Sequence, residues 1–308
     1  MDLSPTAEQK LATESLERLL ARFQPAAASV EFYLDGASLD AGLEDAGFHE
    51  IAADPDLGAT SAVDAIIQVA RHPVAVEIAA TVLVRPKLCP DAPRPLALVW
   101  QGLPVRFGCE ARTALIDVGK DVLRLDVEPG DFTRLESPFA YPLARITPSA
   151  RARARSLGSG VLGSLRQYWA IGLTAEIAGA MMAALATTSE HVRQRVVFGR
   201  PIGAFQAVQH RLAEVAVLVE ATRVLALNAA SMGDASDAAL AAGYAQEAAR
   251  RVVYDCHQFL GAMGLTLEHP LHLWTYRLKA LTGELGGAAS RFEAAATQSW
   301  GEPSARAL

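Results

Sequence analysis

The spacing of hydrophobic positions changes character twice along the chain. In the first zone Leu11, Leu16, Leu19, Leu20 and Phe23 recur at helical intervals behind a start signal at Ser4-Pro5 with Glu8, which predicts an amphipathic helix. Leu39–Ala46, stopped by Gly47, and Ser61–Ala70, behind the loop carrying Gly58, predict two more helices, and Val74–Leu83 is a candidate fourth. From about residue 91 to 146 the pattern shortens into Leu96–Trp100, Val105–Phe107, Ala114–Val118 and Val122–Val127, punctuated by Gly102, Gly108, Gly119, Pro129 and Gly130. These runs predict a small antiparallel sheet with a hairpin turn at Val118–Val122. Beyond residue 150 the helical period returns in long Ala-, Leu- and Val-rich stretches: Gly160–Arg195, Ile202–Ser231, Ala235–Leu260, Pro270–Leu281 and Gly287–Trp300. Helices of that length pack most simply as an up-down bundle.

The expected fold is therefore mainly α with a small β zone. It comprises an N-terminal helical domain over 1–90, a reduced middle antiparallel β domain over 91–147 and a C-terminal long-helix bundle over 148–308. With 51% hydrophobic and 20% charged residues in 308, the chain can bury a large core and is not disordered. A net charge of −6 gives no electrostatic footprint for nucleic acid. Arg151, Arg153 and Arg155 are a local exception, read as a linker or helix start before a phosphate-binding strip. The three cysteines, Cys89, Cys109 and Cys256, are too scattered for a disulfide framework or a zinc site and suit a reducing cytoplasm. Met1–Pro5 lacks the basic and apolar regions of a signal peptide. The apolar run Ala170–Ala186 is broken by Thr174 and Glu176, so it reads as a buried bundle helix with no membrane role.

Two segments carry candidate chemistry. In Arg195-Val-Val-Phe198-Gly199-Arg-Pro-Ile-Gly-Ala-Phe-Gln206, the arginine offers a planar fork for a pyrophosphate and the phenylalanine a flat apolar surface. Gly199 permits a turn at positive φ. In His257-Gln258-Phe-Leu-Gly261-Ala-Met-Gly264, followed by Glu268 and Pro270, the small residues leave room for a cofactor to lie against the chain. Gln206 and Gln258 present both donors and acceptors suited to adenosine or to backbone. Spacing alone equally allows a tight helix–helix turn with the arginine capping a helix and the glycines breaking it. His210, His257, His269 and His272 gather in the same segments, but their spacing matches no standard metal ligand set and they read as core or surface histidines.

Together the two segments resemble the R-x-x-F-G-x-x-I-x-x-x-Q and Q-x-x-G-G-x-G-x-x-x-E-x-P elements of acyl-CoA dehydrogenases, and the order of helices, β zone and bundle is similar across the whole chain. The resemblance implies FAD, with Arg195, Phe198, Gly199, Gln206, Gln258, Gly261 and Gly264 serving the ADP half of a cofactor held by a neighbouring subunit. In that family a glutamate takes the α-proton of a CoA thioester while the flavin accepts the β-hydride, and electron-transfer flavoprotein is the expected acceptor. Counting from the motifs, the usual glutamate position falls on Leu285, and the second location used by some members falls on Trp169 and Ala170. Glu284, adjacent to the first, is a weak candidate for a displaced base, and Glu176 is out of register. The family's W-x-T/S flavin contact is missing between Pro90 and Ile146, where Trp100 is followed by Gln101-Gly102. The chain thus resembles the shortened, non-catalytic subunit of an actinobacterial α2β2 acyl-CoA dehydrogenase of the steroid-degradation type, completed by a homologous full-length catalytic subunit. A self-sufficient homo-oligomeric enzyme using Glu284, and a helical scaffold that has lost FAD, are the alternatives.

Overall fold

The computed structural model describes residues 4–23 and 32–301. Helix α1 (Ala7–Leu20) begins not at the Ser4-Pro5/Glu8 signal but one step later. Thr6 accepts from the Gln9 N–H and Gln9 accepts from the Thr6 N–H, a reciprocal cap that satisfies two donors at once. A short parallel pair, β1 (Leu34–Asp35) and β2 (Val74–Ala75), brackets α2 (Ala37–Asp45) and α3 (Gly58–Arg71). The candidate helix over Val74–Leu83 does not form as one element. Its first residues belong to β2, and a wide π turn over Ala80–Val84 leads into α4 (Arg85–Leu88). The cause is Glu77, whose carboxylate accepts from the Ala80 and Thr81 N–H groups and sets a new helix start inside the apolar run.

The β zone is two sheets. In chain order its strands are β3 (Leu96–Trp100), β4 (Val105–Arg106), β5 (Thr113–Asp117), β6 (Val122–Asp126), β7 (Phe132–Leu135) and β8 (Leu143–Ile146). Then come α5 (Pro148–Arg153) and β9 (Arg155–Ser156). One sheet runs β3-β5-β6-β9 and the other β4-β8-β7. The expectation of a purely antiparallel sheet is corrected here: β3 and β5 pair in parallel, Leu96 opposite Thr113 and Trp100 opposite Asp117. After Trp100 the chain turns through Gln101 and Gly102, both at positive φ, enters the other sheet as β4, and returns to start β5 beside the start of β3. Val99, Ile116, Leu125, Phe132, Ala144 and Ile146 are buried between the sheets. Of the alternating arginines, Arg153 donates to Asp131 at 2.9 and 2.8 Å, a structural pair linking α5 to β7.

The third zone is helical as expected, apart from β9 and one hairpin. Helix α6 (Leu162–Gln194) is followed by β10 (Val196–Val197), β11 (Arg200–Pro201), α7 (Gln206–Met232), α8 (Ala235–Leu260), α9 (His272–Leu281) and α10 (Gly287–Trp300). α6 is the axis of the molecule: 33 residues, about 50 Å at 1.5 Å per residue. Its Ala170–Ala184 stretch is buried on nearly every side, which explains a sequence apolar all round in place of one stripe. The small side chains let α3, α7, α8 and α9 approach it closely. Cys256 is buried in the same core, and that burial pushes its thiol up to about 11, so it packs as a small apolar residue.

Candidate functional site

Two polar assemblies lie toward opposite ends of α6. The first is buried and centred on Arg106 of β4, which sequence reasoning passed over. Its guanidinium donates to Glu176 of α6 at 3.0 and 2.8 Å and to Glu284, in the turn between α9 and α10, at 2.6 Å. Trp169 of α6 closes the cluster by donating its indole N–H to Glu284 at 2.9 Å. The Arg106 guanidinium also lies 4.6 Å from the Tyr141 ring centre. One arginine thus serves two carboxylates. Burial alone would lower the Arg106 pKa, but the two glutamates outweigh it and hold it well above its ordinary value. Each carboxylate has only half a counter-charge, and burial leaves Glu176 above the usual carboxylate range despite Arg106. The space beside the cluster, bounded by Glu77, Leu98, Leu173 and Trp169, has a volume of about 30 Å³. That is room for one or two waters.

Glu284 differs from its neighbour in backbone as well as chemistry. Leu285 takes a left-handed conformation (φ 53°, ψ 25°) and is fully buried, so the side chain at the counted base position is a core residue. Glu284 is turned instead to Arg106 and Trp169. The alternative base positions are equally occupied by structure: Trp169 is buried and Ala170 is core. Trp100 packs edge-on against Trp169, with ring centres 6.2 Å apart.

The second assembly lies at the far end of α6 and is exposed. Arg195 is the C-cap residue, and its carbonyl accepts from the Ile202 N–H, closing the hairpin β10–β11. At the hairpin tip Phe198 (φ 53°) and Gly199 (φ 76°) both take positive φ, the signature of a two-residue type I′ turn. Phe198 is 92% exposed. Gln206 opens α7 and Gln258 lies in the last turn of α8, both with exposed side chains. His191 of α6 meets His269 edge-on at 5.9 Å and joins the two motif segments. Gly261, at φ 58°, ends α8, the role of a helix terminator. Gly264 departs from expectation: a Cβ there would come within 2.9 Å of Leu260, so its missing side chain makes room for the chain's own packing and leaves none for a cofactor. Among the described residues no group of three or more His, Cys, Asp or Glu side chains is placed to hold a metal ion.

Comparison with known proteins gives this geometry its context. Residues 166–290 match the family model of the acyl-CoA dehydrogenase C-terminal domain. The acyl-CoA dehydrogenase IpdE2 of Mycobacterium tuberculosis is 36% identical over 152 residues, covering 48% of each chain. The ChsE4-ChsE5 complex of Mycobacterium tuberculosis superposes with a TM-score of 0.78 at 21% identity, over 98% of this chain and 100% of the compared one. The Tcur3481-Tcur3483 steroid ACAD gives 0.79 at 21%, over 94% and 97%. The chain has the acyl-CoA dehydrogenase fold, and it spans about half the length of IpdE2 in the matched region. The matched stretch holds the Arg195 hairpin whole and, of the buried cluster, Trp169, Glu176 and Glu284, while Arg106 comes from the β zone outside it.

Proposed function

We propose that this chain is the non-catalytic subunit of a heteromeric FAD-dependent acyl-CoA dehydrogenase. In this reading it offers Arg195, Phe198, Gln206 and Gln258 to the ADP half of a FAD held by a full-length catalytic homologue. The observation that carries the reading is the contrast in access. Arg195, Phe198 and the two glutamines are exposed and free to meet a ligand brought by another chain, and their donor set suits a pyrophosphate and an adenosine. The catalytic side offers no free base: Leu285 and Trp169 occupy the counted positions as buried residues, and Glu284 is held by Arg106 and Trp169. When bound, FAD supplies hydride acceptance to the partner's reaction. What this chain's residues do is bind and orient the cofactor's nucleotide end.

The acyl group, in this reading, belongs to the steroid-derived class, an inference supported by the steroid ACAD among the similar structures. Partner and acceptor follow the same reading: an α2β2 assembly with electrons leaving to an electron-transfer flavoprotein. Glu284 is a poor base because a proton acceptor must reach the substrate, and this carboxylate is held by Arg106 and Trp169. The test is purification of the chain alone and co-expressed with a full-length homologue, reading the flavin spectrum and dehydrogenation with an artificial acceptor. Colour and turnover are expected only on co-expression, with Arg195→Ala lowering FAD retention and Glu284→Gln leaving turnover nearly unchanged. A yellow, active chain on its own overturns the proposal in favour of a self-sufficient enzyme, and colourless protein in both cases favours a scaffold without FAD.

A further inference from the structure

A third polar feature belongs to neither assembly. Arg291 of α10 is only 5% exposed, yet among the described residues its Nε has no hydrogen-bond partner and its Nη2 reaches only the Ser290 hydroxyl at 3.2 Å. It lies 5.4 Å from the ring centre of Trp100, and Arg166 of α6 lies 5.2 Å from the same ring. Two guanidiniums therefore share one indole. The carboxylate that faces them, Asp117, is already engaged: it accepts from Arg166 at 2.7 and 3.1 Å and from the Gly119 N–H at 2.7 Å. Burial, and then Arg166, push the Arg291 pKa down, as expected of a cation lacking a counter-charge.

Both arginines line a cavity of about 250 Å³ between the starts of α6 and α8 and the stretch of α10 from Arg291 to Gln298. Its other polar lining among the described residues is Ser159, Gln167 and Gln298, and none of those described lining residues is acidic. Ser159 and Gln298 are exposed at its rim. Contact with an indole face returns about 0.5–2 kcal/mol, whereas taking a cation out of water costs several. The deficit is what a bound anion would remove.

We propose that this cavity binds a phosphate-class oxyanion, held by Arg291 and Arg166 with Ser159, Gln167 and Gln298 around it. The planar forks of two guanidiniums match tetrahedral oxyanions, and the volume accommodates one phosphate or a pyrophosphate. The site does not rest on the cofactor reading above. Arg166 and Arg195 are separated by roughly 40 Å along α6.

The test is a thermal-unfolding titration of the full chain with orthophosphate and with ADP, against acetate and chloride at matched ionic strength. An unfolding midpoint that climbs with the logarithm of phosphate concentration is expected. Arg291→Met should weaken the apparent affinity at least tenfold, Arg291→Lys less, and Arg195→Ala not at all. A response to orthophosphate identifies a free anion as the ligand, and a response to ADP alone identifies a nucleotide phosphate. Without added anion, Arg291→Met should be as stable as wild type or more so, because it removes an unpaired buried charge. The assignment is overturned by an absent response, by an equal response to acetate, or by one that survives Arg291→Met. A strongly destabilised Arg291→Met protein would likewise overturn it, making Arg291 a structural cation satisfied by Trp100.

Discussion

The first half of α6 and its far end carry comparable chemistry in opposite states. In its first half, Trp169 and Glu176 sit with Arg106 and Glu284 in a closed cluster where each charged group is spent on another residue of the same chain. At its far end Arg195, Phe198 and Gln206 point into solvent, and Phe198 does so in a backbone conformation that a phenylalanine rarely takes. A satisfied polar network contributes to folding specificity and has nothing left to offer a ligand. Packing within the chain does not explain an exposed aromatic on a strained turn, and this is the ground for the recognition role proposed for it. The difference teaches where this molecule keeps stability and where it keeps recognition.

The sharpest way to break that contrast is Arg106→Ala. It strands two carboxylates, Glu176 with 4% of its side chain exposed and Glu284 with 18%. Breaking a buried ion pair from one side costs about 3–5 kcal/mol, and urea denaturation should show a loss in that range. A loss below about 1 kcal/mol would mean that the cluster is solvated and that Glu284 is available after all. Arg195→Ala, at the exposed end, should shift the same transition by less than about 0.5 kcal/mol.

Much of this was readable beforehand, and the failures have physical causes. The boundaries of α6, α8 and α10 follow from sustained apolar runs ended by Arg195, Gly261 and Gly301, because helix ends are local events. Glu284 and Leu285 were located by counting. Arg106 was not found, because its partners lie 70 and 178 residues away and a single arginine between Val105 and Phe107 announces nothing. An arginine flanked by two buried apolar residues in a short strand is the signal that could have raised it. The parallel β3–β5 pairing was missed for a similar reason: alternation reports a strand's faces and is silent about its direction. Arg291 was hidden by its setting in an otherwise unremarkable Ala-rich helix.

A second effect, smaller than the first, concerns pH. Burial holds the Glu77 and Glu176 carboxyls above their ordinary value of 4.5. For such groups the folded state binds protons more tightly than the unfolded chain. Their contribution to stability is therefore fully present below pH 4.5 and is lost as pH rises through the raised value. His72, His191, His257 and His269, lowered first by burial, act in the opposite sense around their ordinary 6.5. Comparing wild type with Glu77→Gln cancels the histidines. The variant should lose a downward slope of up to about 1.4 kcal/mol per pH unit just above pH 4.5. Parallel stability–pH curves would show that Glu77 is ionised at no cost, and the closed end would then be less dry than its geometry indicates.

A further small change, of opposite sign, tests the exposed end. A non-glycine residue in the left-handed region costs about 1–2 kcal/mol, and asparagine tolerates it better than phenylalanine because its short side chain hydrogen-bonds locally. Asn-Gly is also the preferred pair for a type I′ hairpin. Phe198→Asn should therefore raise the stability of the isolated chain by about 0.5–1 kcal/mol in urea denaturation while lowering FAD retention in the co-expressed complex. The opposite signs matter more than the sizes. A variant that is both less stable and cofactor-competent would make Phe198 a packing residue, contradicting its 92% exposure. A variant more stable and equally competent would leave Arg195 and the glutamines to hold the nucleotide, with the phenylalanine unexplained. Gain in folding with loss in binding is the outcome that assigns this strained, solvent-facing ring to a surface outside its own chain.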